Sequence, residues 1–313
     1  MSTTRLKSVG VLYPDNTTVE SSVTATRVII GYGRLASNAS SNLTNLVNNY
    51  GGVSTDTTGV GTARYGLAAA GYGGDKAIFG YGYTSVSVNI RNLVSNLGVV
   101  SVDSTDAGGT SRELLAAASY GGDKAIFSGG WLPGYTTILT KISNTGVIIE
   151  ETSGAGTARY SLAGASYGGD KAVFGFGRAS SGGFSRFITF ISNTGSVASE
   201  TTTADYGKQG LAAATYSSNR AIFAFGGLSS LATITKITNL GVIESEAFTS
   251  IAKRNSPMAA SYGGDKAIFG FGYLSNLTKV NTTNLVSNVG NMSSDVSGVG
   301  TARESLAASS YGA

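Results

Sequence analysis

The sequence predicts an all-β fold, a six-bladed β-propeller of four-stranded antiparallel sheets. Three observations point there: a phrase recurring at a fixed period, four short apolar runs in each period, and chain ends that hold complementary halves of one period. The phrase reads YGGDKAIFGYG from Tyr72 and returns with small changes from Tyr120, Tyr167, Tyr216 and Tyr262. The small-residue run before it begins at Leu67, Leu115, Leu162, Leu211, Pro257 and Leu306, at spacings of 48, 47, 49, 46 and 49 residues. Such a period is the length of one propeller blade.

Residues 1–20 lie outside the repeat and the propeller spans 21–313. VGVLY near the start is followed by Pro14, Asp15 and Asn16, which predicts an N-terminal arm or an extra edge strand. Residues 26–33, TRVIIGYG, form a second strand with no first strand before it. Within a complete period, LAAASY (115–120) is the first strand, GGD a tight turn and KAIFSGG the second strand. TILTKIS is the third strand and, after the turn NTG, GVIIEET is the fourth. Gly, Asn and Asp suit these turns because they tolerate positive φ. The chain stops at RESLAASSYGA, a first strand with no second. Pairing that last strand with residues 26–33 completes a sixth blade from both termini and removes two open sheet edges. Six first strands crowded about one axis explain the Ala, Ser and Gly in them.

Composition bounds the chemistry. Cysteine and histidine are absent, which excludes disulfides, Cys/His zinc sites and every nucleophile that depends on a histidine base. Charged residues are 13% and the net charge is +4 without a Lys/Arg run, so neither nucleic acid nor membrane insertion is expected. No apolar signal segment is read at the start, and no cofactor and no metal are implied.

TARYGLAAAGYGGDKAIFGYG resembles a kelch repeat: an Arg ahead of a small-residue strand, a turn, then a β-rich strand ending in a glycine pair. The resemblance covers residues 21–313. It departs in that the pair is often Gly-aromatic-Gly, as at Gly80, Tyr81 and Gly82, and the aromatics usual in later kelch strands are missing. Kelch proteins that bind acidic peptides use arginines near one channel mouth. Here Arg64, Arg112, Arg159, Arg254 and Arg303, with Lys208 in the remaining blade, are expected either to ring that mouth and hold an acidic partner, or to be tied each to a neighbouring carboxylate or to carbonyls between blades.

Strand direction puts the arginines and the Gly-aromatic-Gly segments at one end, with the GGDK and SNTG turns at the other. The loops leaving the Arg-bearing end differ in every period, and Tyr83, Trp131, Tyr135, Phe184 and Tyr273 in them are candidate ligand contacts. Asp75, Asp123, Asp170 and Asp265, each followed by Lys, read as solvated turn residues. For a glycan-active enzyme the Arg-bearing end offers few acids, such as Asp106 and Asp205. The expected function is a non-catalytic structural or adhesive module. Its composition resembles virion-associated proteins of tailed bacteriophages, tail-fibre or decoration proteins, whose partners are other virion proteins or a host surface glycan or protein. A soluble hub with an Arg-lined mouth is the alternative.

Overall fold

The computed structural model describes residues 10–12, 18–20, 26–105, 109–203, 206–227, 231–244 and 247–312. Among these there is no helix, and six antiparallel sheets of three or four strands follow the repeat. The first sheet comprises Ala68–Tyr72, Lys76–Gly80 and Arg91–Val94. The second comprises Ala116–Tyr120, Lys124–Ser128, Ile138–Ile142 and Ile148–Ser153. The third comprises Ala163–Tyr167, Lys171–Gly175, Phe187–Ile191 and Val197–Thr202. The fourth comprises Ala212–Tyr216, Arg220–Ala224, Leu231–Ile237 and Ala247–Ala252. The fifth comprises Met258–Tyr262, Lys266–Gly270 and Thr283–Val286.

The sixth sheet draws on both ends of the sequence. Ala307–Tyr311 pairs with Arg27–Gly31, in the register Ala307↔Gly31 to Tyr311↔Arg27, and Thr44–Val47 lies on the other side of Arg27–Gly31. The pairing expected of the two termini is therefore present. Outside the six sheets, Gly10–Leu12 pairs with Thr18–Glu20 in a two-stranded hairpin. Among the described residues that hairpin pairs with no other strand.

A fourth strand was expected in each sheet, but the first, fifth and sixth have three, with isolated bridges such as Val94↔Val100, Val286↔Met292 and Val47↔Val53 in the fourth strand's place. Side chains take over from the ladder there. Asn92 donates to the Ser101 carbonyl at 3.0 Å while the Leu93 amide donates to the Ser101 hydroxyl at 2.9 Å. Asn284 with Ser293 and Asn45 with Ser54 repeat the device. A polar group inserted between strands satisfies the backbone but breaks the regular register.

The sheets stack face to face. The second strands are buried on both faces, Ala77, Ile78 and Phe79 being wholly inaccessible, so their KAIF runs are continuous rather than alternating. Six hydrophobic cores result, each shared by two consecutive sheets, the sixth and first included.

Hydrogen bonds also run from sheet to sheet. At one end, Leu114 donates to Gly66, Ser161 to Leu114, Gly210 to Ser161, Ser256 to Gly210, Ser305 to Ser256 and Gly66 to Ser305, at 2.7–3.1 Å. This backbone circuit returns to its start. All six residues adopt positive φ, between 49° and 64°, a cost for the leucine and serines that the circuit offsets. At the other end Gly73, Gly121, Gly168, Ser217, Gly263 and Gly312 donate to Asp123, Asp170, Asn219, Asp265, Thr26 and Asp75, a second circuit through the GGD turns.

Candidate functional site

The arginines come first because they repeat. Arg64, Arg112 and Arg303 are completely buried, Arg254 is 1% exposed and Arg159 is 3% exposed. They do not ring a channel mouth with charge, which corrects that expectation and removes the contacts the hub reading needed. Each guanidinium is instead bonded inside its own sheet.

Arg112 shows the arrangement. Its Nε donates to the Gly129 carbonyl at 3.0 Å, and its other nitrogens donate to Thr140 Oγ1 at 2.8 Å, the Thr110 carbonyl at 3.2 Å and Glu151 Oε2 at 3.4 Å. One side chain thus ties the segment before the first strand to the end of the second strand, at Gly129, and to the third and fourth strands. Arg303 likewise reaches the Tyr32 carbonyl, Asn45 in the third strand and Asp56 beyond it. Arg64 binds the Tyr81 carbonyl and Asn92, which passes the contact on to Asp103. Arg254 reaches Asn284, which holds Asp295. Lys208 donates to Thr235 at 3.0 Å in the fourth sheet.

Four of the carboxylates at these nodes are each held by both the amide and the hydroxyl of one threonine. Thr110 donates its amide and hydroxyl to Glu151, Thr157 to Glu200, Thr62 to Asp103 and Thr301 to Asp56. Burial alone would raise these carboxyls, but the hydrogen bonds and the adjacent guanidinium outweigh it and hold Asp56, Asp103 and Glu151 below the usual range. Burial also lowers Arg159, Arg254 and Arg303 to about 10, which leaves them charged at neutral pH. Sequence reading missed these acids. The signal was a carboxylate 39 residues after Arg64 and Arg112 and 41 after Arg159 and Arg254.

The middle residue of each glycine pair completes the node from the neighbouring sheet. Arg64 lies 4.2 Å over Tyr32, Arg112 4.2 Å over Tyr81, Lys208 4.6 Å over Phe176, Arg254 4.5 Å over Phe225 and Arg303 4.9 Å over Phe271. These aromatics sit at φ of 61–69°, a conformation unusual for a bulky residue. Cation–π contact and edge packing, as of Tyr81 on Phe127 at 5.2 Å, hold them there. The exception is Gly129, which has no ring to offer Arg159, and a cavity of about 20 Å³ remains beside them.

The residue after each arginine sits on the rim, opposite the residue after the glycine pair. Tyr65 faces Tyr83, Glu113 faces Trp131, Tyr160 faces Arg178, Asn255 faces Tyr273 and Glu304 faces Arg34. No two of these pairs are alike. Trp131, Tyr135 and Tyr160 form a mutual cluster with ring centroids 5.3–5.4 Å apart, on a tight hairpin at Pro133. Of the predicted contacts, Trp131 and Tyr135 are brought together. Tyr83 packs on Tyr65 at 5.4 Å, while Phe184 bridges Arg178, and Tyr273 stands with Asn255 and Lys279 in another sheet. All five are half-buried.

Asp75, Asp123 and Asp265 pair with the adjacent lysines at 2.9–3.0 Å in their turns, consistent with solvated turn residues. Asp106 and Asp205 lie outside the described residues. Among the described residues no group of three His, Cys, Asp or Glu side chains gathers as for a metal ion. The chain matches no protein-family model and none of the curated proteins at a significant level.

Proposed function

We propose that the six sheets are the blades of a closed, kelch-like six-bladed β-propeller. We further propose that it works without catalysis as a structural and adhesive part of a tailed-phage virion, in a tail fibre or as a decoration protein. Its unrepeated rim would contact a host surface or another virion protein. The two backbone circuits, the six shared cores and the pairing of the terminal strands support closure. Recognition rests on one observation: the Trp131, Tyr135 and Tyr160 cluster stands half-exposed on a scaffold whose repeated arginines are turned inward. Rigid aromatic surface of this kind contributes binding energy at low entropic cost.

Binding of the full chain to host envelope material tests the adhesive role. Trp131→Ala should abolish retention, and retention unchanged by that substitution counts against the rim. Closure has its own test. Deleting residues 304–313 removes the first strand of the sixth blade and exposes two sheet edges, so aggregation or a sharp fall in melting temperature is expected; an unaltered melting curve would sink the closed ring.

A further inference from the structure

Glu304 and Glu113 occupy one position in two sheets, and only one of them has a cation. Glu304 lies opposite Arg34, whose Nε and terminal nitrogen donate to Glu304 Oε1 at 2.9 and 2.6 Å. Lys279 stands 3.6 Å from the same oxygen. The Arg34 guanidinium also lies 5.0 Å over the ring of Tyr65, the corresponding residue of the next sheet. The rim therefore contains a complete guanidinium site: carboxylate on one edge, phenol ring on the face.

Two sheets further on the same frame returns without its cation. Glu113 replaces Glu304, Tyr160 replaces Tyr65, and Trp131 stands opposite Glu113 where Arg34 stands opposite Glu304. The Trp131 ring meets Tyr160 at 5.3 Å, much as the Arg34 guanidinium meets Tyr65. No described side chain hydrogen-bonds or ion-pairs with the half-buried Glu113 carboxylate. Burial raises its pKa, and its charge helps to raise that of Tyr65, where burial is the larger cause. An acid left beside aromatic faces with no counter-charge is complementary to a cation.

We propose that Glu113, with the rings of Trp131, Tyr135 and Tyr160, binds an arginine side chain presented by a protein partner. The guanidinium donates to the Glu113 carboxylate while its face lies on the rings, as Arg34 does between Glu304 and Tyr65. Arginine suits this geometry better than lysine because its planar fork can bond edge-on and stack at once. The site deepens the reading of this rim as the recognition face and depends on it for its biological role.

Trp131 is the chain's single tryptophan, so its fluorescence reports on the site directly. N-acetylarginine amide titrated into the full protein should shift that emission saturably, and the neutral isostere N-acetylcitrulline amide should not. Glu113→Gln, which keeps shape and removes charge, should weaken binding by about tenfold or more. Equal binding of the two amides, or binding unchanged in Glu113→Gln, overturns the proposal. A second measurement does not depend on the probe. Trp131→Arg restores the internal cation, so it should melt higher than Trp131→Ala, and the gain should vanish when Glu113→Gln is added; a gain that survives Glu113→Gln also overturns it. The adhesive role fails separately. Envelope retention lost in Trp131→Ala but kept in Glu113→Gln removes the arginine site and spares adhesion, whereas arginine amide binding without envelope retention does the reverse.

Discussion

Arg112 and Glu113 are neighbours in the chain and opposites in the fold. Arg112 is wholly buried, bonded to Gly129, Thr140 and Glu151 of its own sheet and stacked on Tyr81 of the one before. Glu113 is half-buried and faces Trp131, and its carboxylate has no described partner. The same contrast holds along the repeat: the inner residue is arginine or lysine every time, while the next is Tyr65, Glu113, Tyr160, Gln209, Asn255 or Glu304. Where six copies must solve one packing problem the residue stays the same. Where the backbone ladder already satisfies the main chain, the side chain is free to differ.

The largest effect should come from breaking the inner member. Arg112→Met leaves Thr140 Oγ1 and the Gly129 carbonyl without their buried donor and takes the cation from Glu151, which keeps its bonds from Thr110 and Thr140; removing one partner of a buried pair costs about 3 kcal/mol. Glu113→Gln should change stability by only about 0.5 kcal/mol. Urea unfolding of the two variants measures both. A loss below about 1 kcal/mol for Arg112→Met would mean the node behaves as a surface pair and the contrast is false.

Acid should separate two glutamates of one sheet. Glu151, at the node, has its carboxyl held low, whereas burial raises that of Glu113. A carboxyl depressed in the folded state contributes stability that is fully present above its unfolded pKa of about 4 and is lost as pH falls through the folded value. Asp56 and Asp103 share that sign with Glu151. Glu113 has the opposite sign, since its protonation relieves the fold. Melting temperature should therefore drop as pH falls below about 4, and Glu151→Gln should lower stability at pH 7 while flattening that drop. Glu113→Gln should leave the acid drop in place; if it flattened the drop as Glu151→Gln does, the two sites would not differ as described.

The sheets and their order were legible in the sequence because they follow from hydrophobic periodicity and turn residues, which are local. The pairing of residues 307–311 with 27–31 was legible too, since the missing halves at the two ends are complementary. The role of the arginines was open, because a repeated cation has one spacing whether it faces water or a carboxylate. Only the partners decide it, and those lie 39 or more residues away in Asp103, Glu151 and Glu200. The shortened fourth strands were illegible for a related reason: Asn92, Asn284 and Asn45 look like strand residues until their side chains are seen to replace ladder bonds. On the rim, Trp131 and Tyr135 stood out as aromatics. Tyr160 and Glu113 did not, because what marks them is comparison with Tyr65 and Glu304 across a sheet boundary.

A small effect, of opposite sign to the loss at Arg112, is expected in the first strands, where one copy departs from the rest. Ser119 donates its hydroxyl to the Gly71 carbonyl, Ser166 to Ser119, Thr215 to Ser166, Ser261 to Thr215 and Ser310 to Ser261, at 2.7–2.9 Å. Gly71 holds the sixth position and has no hydroxyl to send to Ser310. A Cβ built there would lie 3.8 Å from the Ser310 carbonyl oxygen and 3.6 Å from that of Lys76, with the Ser119 hydroxyl tighter at 3.1 Å. That hydroxyl ends a short side chain and can yield by a few tenths of an ångström. Gly71→Ser should therefore complete the series and reduce the freedom of the unfolded chain, for a gain of about 0.5–1 kcal/mol. Gly71→Ala, which reduces the same freedom without adding a donor, should gain less. If both variants lose stability equally, the crowding at Ser119 outweighs the new hydrogen bond, and the gap in the hydroxyl series is there because the seam between the sixth and first sheets has no room for a side chain.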